Sequence, residues 1–131
     1  MIRGVNQVVL YVSDQEQAKQ FWVDRVGCAL AEDAPYGEDR WLSVTTPDGA
    51  TRLVLSKREP GWQAATVRDG LPHSNVFFYA DDVEATYREL SEQGVVFPEP
   101  PTKQFFGWWS MFEDPDGTRY ALGERWGTDN N

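Results

Sequence analysis

Only a handful of side chains in this sequence are of types that make or break bonds, and their spacing limits what they can do. His73 is the only histidine. It follows Gly70-Leu71-Pro72 and opens what reads as a strand. There it is either a hydrogen-bonded structural residue or a general base or metal ligand at the mouth of a site. Glu124, near the end of the last expected strand, is the carboxylate that would serve as an alternative base. Cys28 has no cation beside it to lower its pKa and reads as a buried, inert thiol. Asp48 and Asp116 each stand in a Pro-Asp-Gly turn and are not an acid/base pair. No Gly-rich phosphate loop and no Ser-His-Asp order with a nucleophile elbow occurs. What is abundant is aromatic surface, above all Phe105-Phe106-Gly107-Trp108-Trp109-Ser110-Met111-Phe112. Alternate residues of a strand face opposite sides, so one aromatic face packs under a helix and the other lines something else. Trp and Tyr present stiff, flat area with a polar tip, suited to gripping a planar ligand.

Composition narrows the partners. The chain of 131 residues has 12 basic and 21 acidic side chains, a net charge of −9. Nucleic acid phosphates call for the opposite sign, and no Lys/Arg cluster suits an anionic membrane. Arg40 and Lys103 read as solvated surface charges. A hydrophobic content of 40% with 14% aromatic residues excludes a disordered chain. The longest apolar run, Val8–Val12, is far short of the roughly 20 residues that cross a bilayer. The N-terminal stretch lacks the apolar core and cleavage site of a signal peptide. A single cysteine fits a reducing cytoplasm. The expectation is a cytoplasmic domain that handles a small molecule, with no nucleic acid or membrane partner.

The elements that must position these residues are repeated. Gln7-Val-Val-Leu-Tyr-Val-Ser-Asp14 returns as Asn75-Val-Phe-Phe-Tyr-Ala-Asp-Asp82, an offset of 68 residues. The same offset carries Trp41 onto Trp109 and Pro47-Asp48-Gly49 onto Pro115-Asp116-Gly117. Each copy reads β-α-β-β-β. The alternation of Val8, Leu10 and Val12 with Gln7, Val9 and Tyr11 predicts a strand. Ser13 with Glu16 predicts a capping box, Ala18, Phe21, Trp22 and Val26 a helical core face, and Gly27 its end. Strands are expected at about 28–32, 40–46 and 51–57. In the second copy a strand at 75–80 precedes a helix from about Asp81 to Gly94, then strands near 95–98, 107–113 and 118–123. The expected modules are 1–57 and 73–125 within one domain, 1–131, joined by a turn-rich linker, 58–72. The tail from Trp126 is expected to be loose.

This order, together with the strand-to-helix start Gln7–Asp14, Phe21-Trp22 with Val26-Gly27, and Phe112-Glu-Asp-Pro-Asp-Gly117, resembles the vicinal oxygen chelate superfamily. That group includes glyoxalase I, extradiol dioxygenases, fosfomycin-resistance thiol transferases and the bleomycin-resistance proteins. The resemblance covers roughly 5–125. It implies an α+β fold of tandem β-α-β-β-β modules, each a curled mixed sheet forming a half-barrel around a cleft that binds ligands. Catalytic members hold a divalent ion there through two residues per module, one at the start of the first strand and one on the last strand. The matching positions are Gln7 and Asn75, then Leu53 or Val54, and Ala121 or Leu122. Where Asn75 stands the family usually has His, and His73 lies two residues upstream. No carboxylate occupies a last-strand position, and Glu124 would need a register change of about three residues, which a sheet does not freely allow.

By this resemblance the expected protein binds without a metal or other cofactor, as the bleomycin-resistance type does when it sequesters a drug. The expected ligand face is Gln7, Tyr11, Trp41, Leu53, Asn75, Phe77, Trp109 and Ala121, with Tyr79 beside them. It is mostly apolar with two amides, which fits a neutral aromatic or heterocyclic ligand. Two other readings stay open. One is a metal-dependent lyase, isomerase or dioxygenase. The other is a metal-independent enzyme with His73 or Glu124 as base. A homodimer is expected, because the aromatic residues exceed what one small core needs and paired modules in this family often complete their barrels across subunits.

Overall fold

The structure, a computed structural model, describes residues 1–124. The tail expected to be loose, and Arg125, lie outside these residues. The chain divides into two units, Met1–Trp62 and Gln63–Asn131.

The first unit begins with β1 (Gln7–Val12), continues through α1 (Gln15–Lys19) and a π-helical segment (Gln20–Arg25), and then forms β2 (Ala29–Tyr36), β3 (Asp39–Thr45) and β4 (Arg52–Lys57). Its sheet runs β1-β4-β3-β2, with β1 parallel to β4 and the other pairs antiparallel. One face is the core. Leu10, Val12, Leu42, Val44, Leu53 and Leu55 are buried together with Ala18, Phe21 and Trp22 of the helical segment. Burying each Val, Leu or Phe among them is worth roughly 1.5–3 kcal/mol.

The second unit contains β5 (Thr66–Arg68), β6 (Leu71–Ala80), α2 (Val83–Glu92), β7 (Thr102–Gln104), β8 (Gly107–Glu113) and β9 (Arg119–Glu124). Its sheet order is β5-β6-β9-β8-β7. Phe78, Phe112 and Tyr120 pack ring to ring, and Tyr87 of α2 reaches Phe112 through Phe97. This identifies the helix-facing side of the sheet. Both units are α+β with a mixed, open sheet, and neither sheet closes into a barrel.

Several details differ from the sequence reading. Asp14, not Ser13, caps α1, accepting from the Gln17 N–H at 3.0 Å. Asp82, one residue past the expected start, caps α2 through the Ala85 N–H at 3.0 Å. Both caps are the repeated aspartate of the 68-residue offset, whose short carboxylate reaches the third N–H of the first turn. Glu16 accepts from Arg40 at 3.0 Å. After Lys19 the helix widens, with the Val26 N–H bonded to the Phe21 carbonyl at 3.0 Å. This i→i−5 pattern lets neighbouring Phe21 and Trp22 both enter the core. Gly27 and Gly94 end the helical segments with φ of 95° and 90°.

The end of the expected linker at 58–72 is sheet: Thr66–Arg68 forms β5 and β6 already begins at Leu71. Asp69 and Gly70 both take positive φ (53° and 75°), the requirement of a tight hairpin turn, and Arg68 pairs with Leu71 across it. The strand expected near 95–98 is reduced to one bridge, Val96 to Glu113, and the edge strand forms later at β7. Pro98, Pro100 and Pro101 explain the delay, since proline has no N–H for a ladder.

One register correction bears on the site. The turn Thr46-Pro-Asp-Gly-Ala-Thr51 is one residue longer than Asp114-Pro-Asp-Gly-Thr118. After it the repeat offset is 67, so Arg52 matches Arg119 and Val54 matches Ala121. The pairings agree, with Val9 beside Val54 in one unit and Phe77 beside Ala121 in the other.

Candidate functional site

Each sheet has a second face, opposite its helix. In the first unit, Val9, Val54, Ser43 and Glu32 form one row across β1, β4, β3 and β2. Gln7, Arg52 and Thr45 form the next. Glu32 is the hub of this face. It accepts from the Trp41 indole Nε1 at 2.8 Å and the Ser43 hydroxyl at 3.1 Å, and it pairs with Arg52 at 3.3 Å. The Trp41 hydrogen bond, then that of Ser43, pulls its carboxyl below the usual range. Tyr36 meets the Trp41 ring edge-on at 6.2 Å. Trp41 is thus fixed at its polar tip and its side. Tyr11 and Val9 are exposed on the same face.

Arg40 is committed elsewhere, to Asp33 at 2.8 Å and to Glu16 at 3.0 Å. Arg40, with Lys19 second, holds the Asp33 carboxyl well below the carboxylate range. Cys28 is buried, and burial alone pushes its thiol up to about 11, as expected for an inert thiol.

In the second unit the opposite face carries a gradient. At one end a polar row runs Thr66, His73, Arg119, Glu113 across β5, β6, β9 and β8. The next row is apolar, Phe77, Ala121 and Met111. The last is Tyr79, Gly123, Trp109 and Thr102. Trp109 has ring contacts with Phe77 at 5.7 Å and Phe106 at 5.8 Å, both edge-on. It lies over Gly123, where an added Cβ would come within 3.5 Å of the indole. Phe77 is 70% exposed.

Two adjoining cavities open on this face. One, of about 350 Å³, is lined by Arg68, Asp69, His73, Pro98, Glu99, Pro100, Thr102, Trp109, Ser110, Met111 and Arg119. The other, about 70 Å³, is lined by Thr66, Arg68, His73, Ser74, Asn75, Phe77, Trp109, Met111, Arg119 and Ala121. The larger volume is at the lower end of the range of small-molecule sites.

The expected site residues fall into groups. Asn75, Phe77, Trp109 and Ala121 come together with His73 around the smaller cavity. The Asn75 carboxamide oxygen accepts from Thr66 at 3.1 Å. Gln7, Tyr11 and Trp41 belong to the open face of the first unit. Leu53 requires correction. It is 1% exposed and pairs with Val44 on the helix side, so Val54 takes its place on the open face. Leu122 is likewise on the core side. Glu124 bonds the Trp108 backbone N–H at 3.1 Å, and by strand alternation it sits on the side opposite Ala121 and Gly123. The His73 Nδ1 donates to the Leu71 carbonyl at 2.9 Å, which leaves Nε2 as the nitrogen available to a ligand.

Sequence reading missed Arg68, Met111 and Arg119. Arg68 falls in the stretch that reads as a linker, although Asp69-Gly70 is a strong hairpin signal. Arg119 was visible as the repeat of Arg52 only once the shorter turn is allowed for.

The four positions that would carry a metal hold Gln7 and Val54 in one unit and Asn75 and Ala121 in the other. Two amides and two hydrocarbon side chains do not fit a divalent ion, which takes carboxylates and imidazoles. Among the described residues no group of three His, Cys, Asp or Glu side chains is arranged to hold a metal ion.

Residues 4–122 match the family model of the glyoxalase/bleomycin resistance protein/dioxygenase superfamily. The chain belongs to this superfamily. The chain is similar to YetH of Bacillus subtilis, described as uncharacterized, at 33% identity over 125 residues, spanning 95% of this chain and all of YetH's own length (100%). The solved structure of TnmS3, described as an antibiotic binding protein from Streptomyces sp. CB03234, superposes with a TM-score of 0.76 at 34% identity and covers 95% of this chain and 98% of its own. A superfamily member from Sphaerobacter thermophilus gives a TM-score of 0.79 at 29% identity, covering 95% and 98%. The match extends over both units, so the β-α-β-β-β repeat is the superfamily's own.

Proposed function

We propose that this superfamily member is a metal-free small-molecule-binding protein that sequesters a mostly apolar, aromatic ligand. The observation that carries this is the open face of the second unit, where Trp109 and Met111 border a cavity of about 350 Å³ and, with Phe77, the adjoining smaller one, on whose wall Asn75 stands at a position that holds an amide instead of a metal ligand. The description of TnmS3 as an antibiotic binding protein supports the same class of function. Glu124 is engaged by the Trp108 backbone, which argues against its use as a base.

Two measurements test this reading. Metal analysis of the purified chain should find no stoichiometric zinc, nickel, iron or manganese, and chelator-sensitive uptake would return the metalloenzyme to first place. Titration with planar aromatic compounds should quench tryptophan fluorescence saturably. Trp109→Ala should then weaken binding roughly tenfold, since it removes a stacking partner worth about 0.5–1.5 kcal/mol beyond its buried area. Unchanged affinity in Trp109→Ala would place the ligand elsewhere.

Homodimer formation and a cytoplasmic location belong to the same proposal. Exposed Val9 and Tyr11 in one unit and Phe77 and Tyr79 in the other are large apolar side chains on open sheet faces. A specific partner copy would bury at least about 1,000 Å² in total. Sedimentation analysis should give twice the 14.9 kDa chain mass, and a monomer at micromolar concentration would refute the dimer. Among the described residues no helix is long and apolar enough to cross a membrane.

A further inference from the structure

Five residues line both cavities of the second unit: Arg68, His73, Trp109, Met111 and Arg119. Two guanidiniums and the chain's only imidazole therefore converge beside an indole, in a protein whose net charge is −9. Register explains part of the convergence. His73 pairs with Arg119 in the parallel β6–β9 ladder, and the hairpin turn at Asp69-Gly70 brings Arg68 to the same edge. Arg119 is only partly neutralised. Glu113 accepts from its Nε at 3.2 Å, and its terminal amino groups have no partner among the described residues. Beyond its backbone pairing with Leu71, the Arg68 side chain has no ion-pair or hydrogen-bond partner among the described residues. The remaining carboxylates at the site, Asp69 and Glu99, line the larger cavity, and none lines the smaller.

We propose that the ligand is a planar aromatic acid, its ring against Trp109 and Met111 and its anionic edge held by Arg68 and Arg119. This deepens the binding reading above and rests on it. A neutral ligand filling these cavities would strip water from two guanidiniums and give nothing back, which is costly. A carboxylate or similar planar anion restores their hydrogen bonds, and guanidinium forks match its geometry bidentately. The smaller cavity, with Asn75 and Ser74 on its wall, has room for such a group but not for a ring system. The amide-only polar set expected from the sequence thus gains a cationic component, and the ligand's edge changes from neutral to acidic.

The experiment titrates the full chain with a matched pair, 2-naphthoate and 2-naphthamide, read by tryptophan fluorescence and by calorimetry. The acid should bind at least tenfold more tightly than the amide, and the preference should shrink as salt is raised. Arg68→Gln, on an exposed hairpin, should lower the preference severalfold without touching the core. Arg119→Gln should do the same, with circular dichroism to confirm its fold. Equal binding of acid and amide would overturn the acidic-ligand proposal and leave the aromatic-binding reading intact. A preference for the acid that persists in both variants would overturn the assignment of these two residues. Failure of both compounds to bind saturably would overturn both readings.

Discussion

Leu53→Glu should unfold the first unit, whereas Val54→Glu should leave a folded chain. The two residues are neighbours on β4 and equally apolar, but they face opposite sides of the sheet. Leu53 is 1% exposed and pairs with Val44 in a layer that includes Leu42 and Leu55. A carboxylate there has no cation or donor, and an unpaired buried charge costs several kcal/mol. That is comparable to the whole stability of a small domain, about 5–15 kcal/mol. Val54 is also buried, but its row holds the Ser43 hydroxyl, and Arg52 shares its face. A glutamate at Val54 therefore has polar neighbours, which it would share with Glu32, and a half-exposed Val9 beside it as a route to solvent. Far-UV circular dichroism and urea midpoints of the two variants decide the matter. Equal loss of structure in both would mean that the register of β4 is wrong, and with it the assignment of Val54 and Ala121 to the open faces.

The second large effect is a loss of stability as pH rises through the acidic range. Asp114 opens the last turn and is buried, its Oδ1 accepting from the Asp116 and Thr118 N–H groups at 2.9 Å each. Tyr120 donates to its other oxygen at 3.3 Å. Burial outweighs these bonds and pushes the carboxyl up from 3.8 to about 6. The unfolded chain therefore gives up this proton first. Below about pH 4 both states are protonated and Asp114 imposes no cost. Between about pH 4 and pH 6 the unfolded state is ionised while the folded state still holds its proton, and stability falls. Above about pH 6 the cost is constant. A shift of about two pK units corresponds to roughly 3 kcal/mol. Asp114→Asn keeps an oxygen for both N–H groups and removes the titration. Relative to the unmodified chain, the variant should gain up to about 3 kcal/mol between pH 4 and pH 7. Urea unfolding at those two values checks it, and parallel stability profiles would refute it. Asp33 acts in a separate window. Its lowered pKa contributes stability that is present above about pH 4 and lost only as pH falls further.

Local chemistry alone made much of this protein legible. Strand alternation at Gln7–Val12 and the repeated aspartates at 14 and 82 are properties of short segments, governed by hydrogen bonds within one turn. They locate the elements even where the cap lies one residue from its expected place. The 68-residue offset exposed two copies of one unit, because copied segments keep the same side-chain alternation. That was enough to identify the superfamily and to bring Asn75, Phe77, Trp109 and Ala121 to one face. Other features were settled only by contacts distant in sequence. Whether Leu53 or Val54 faces outward depends on one residue of turn length, and a one-residue slip reverses every side chain of a strand. The π-helical widening at Gln20–Arg25 answers to core space for Phe21 and Trp22, which no local propensity records. The meeting of Arg68, His73 and Arg119 depends on a hairpin and a parallel ladder that join segments about 50 residues apart (Arg68 to Arg119). Sequence spacing carries no trace of that proximity, because β-pairing is a long-range choice made by the burial of the opposite face.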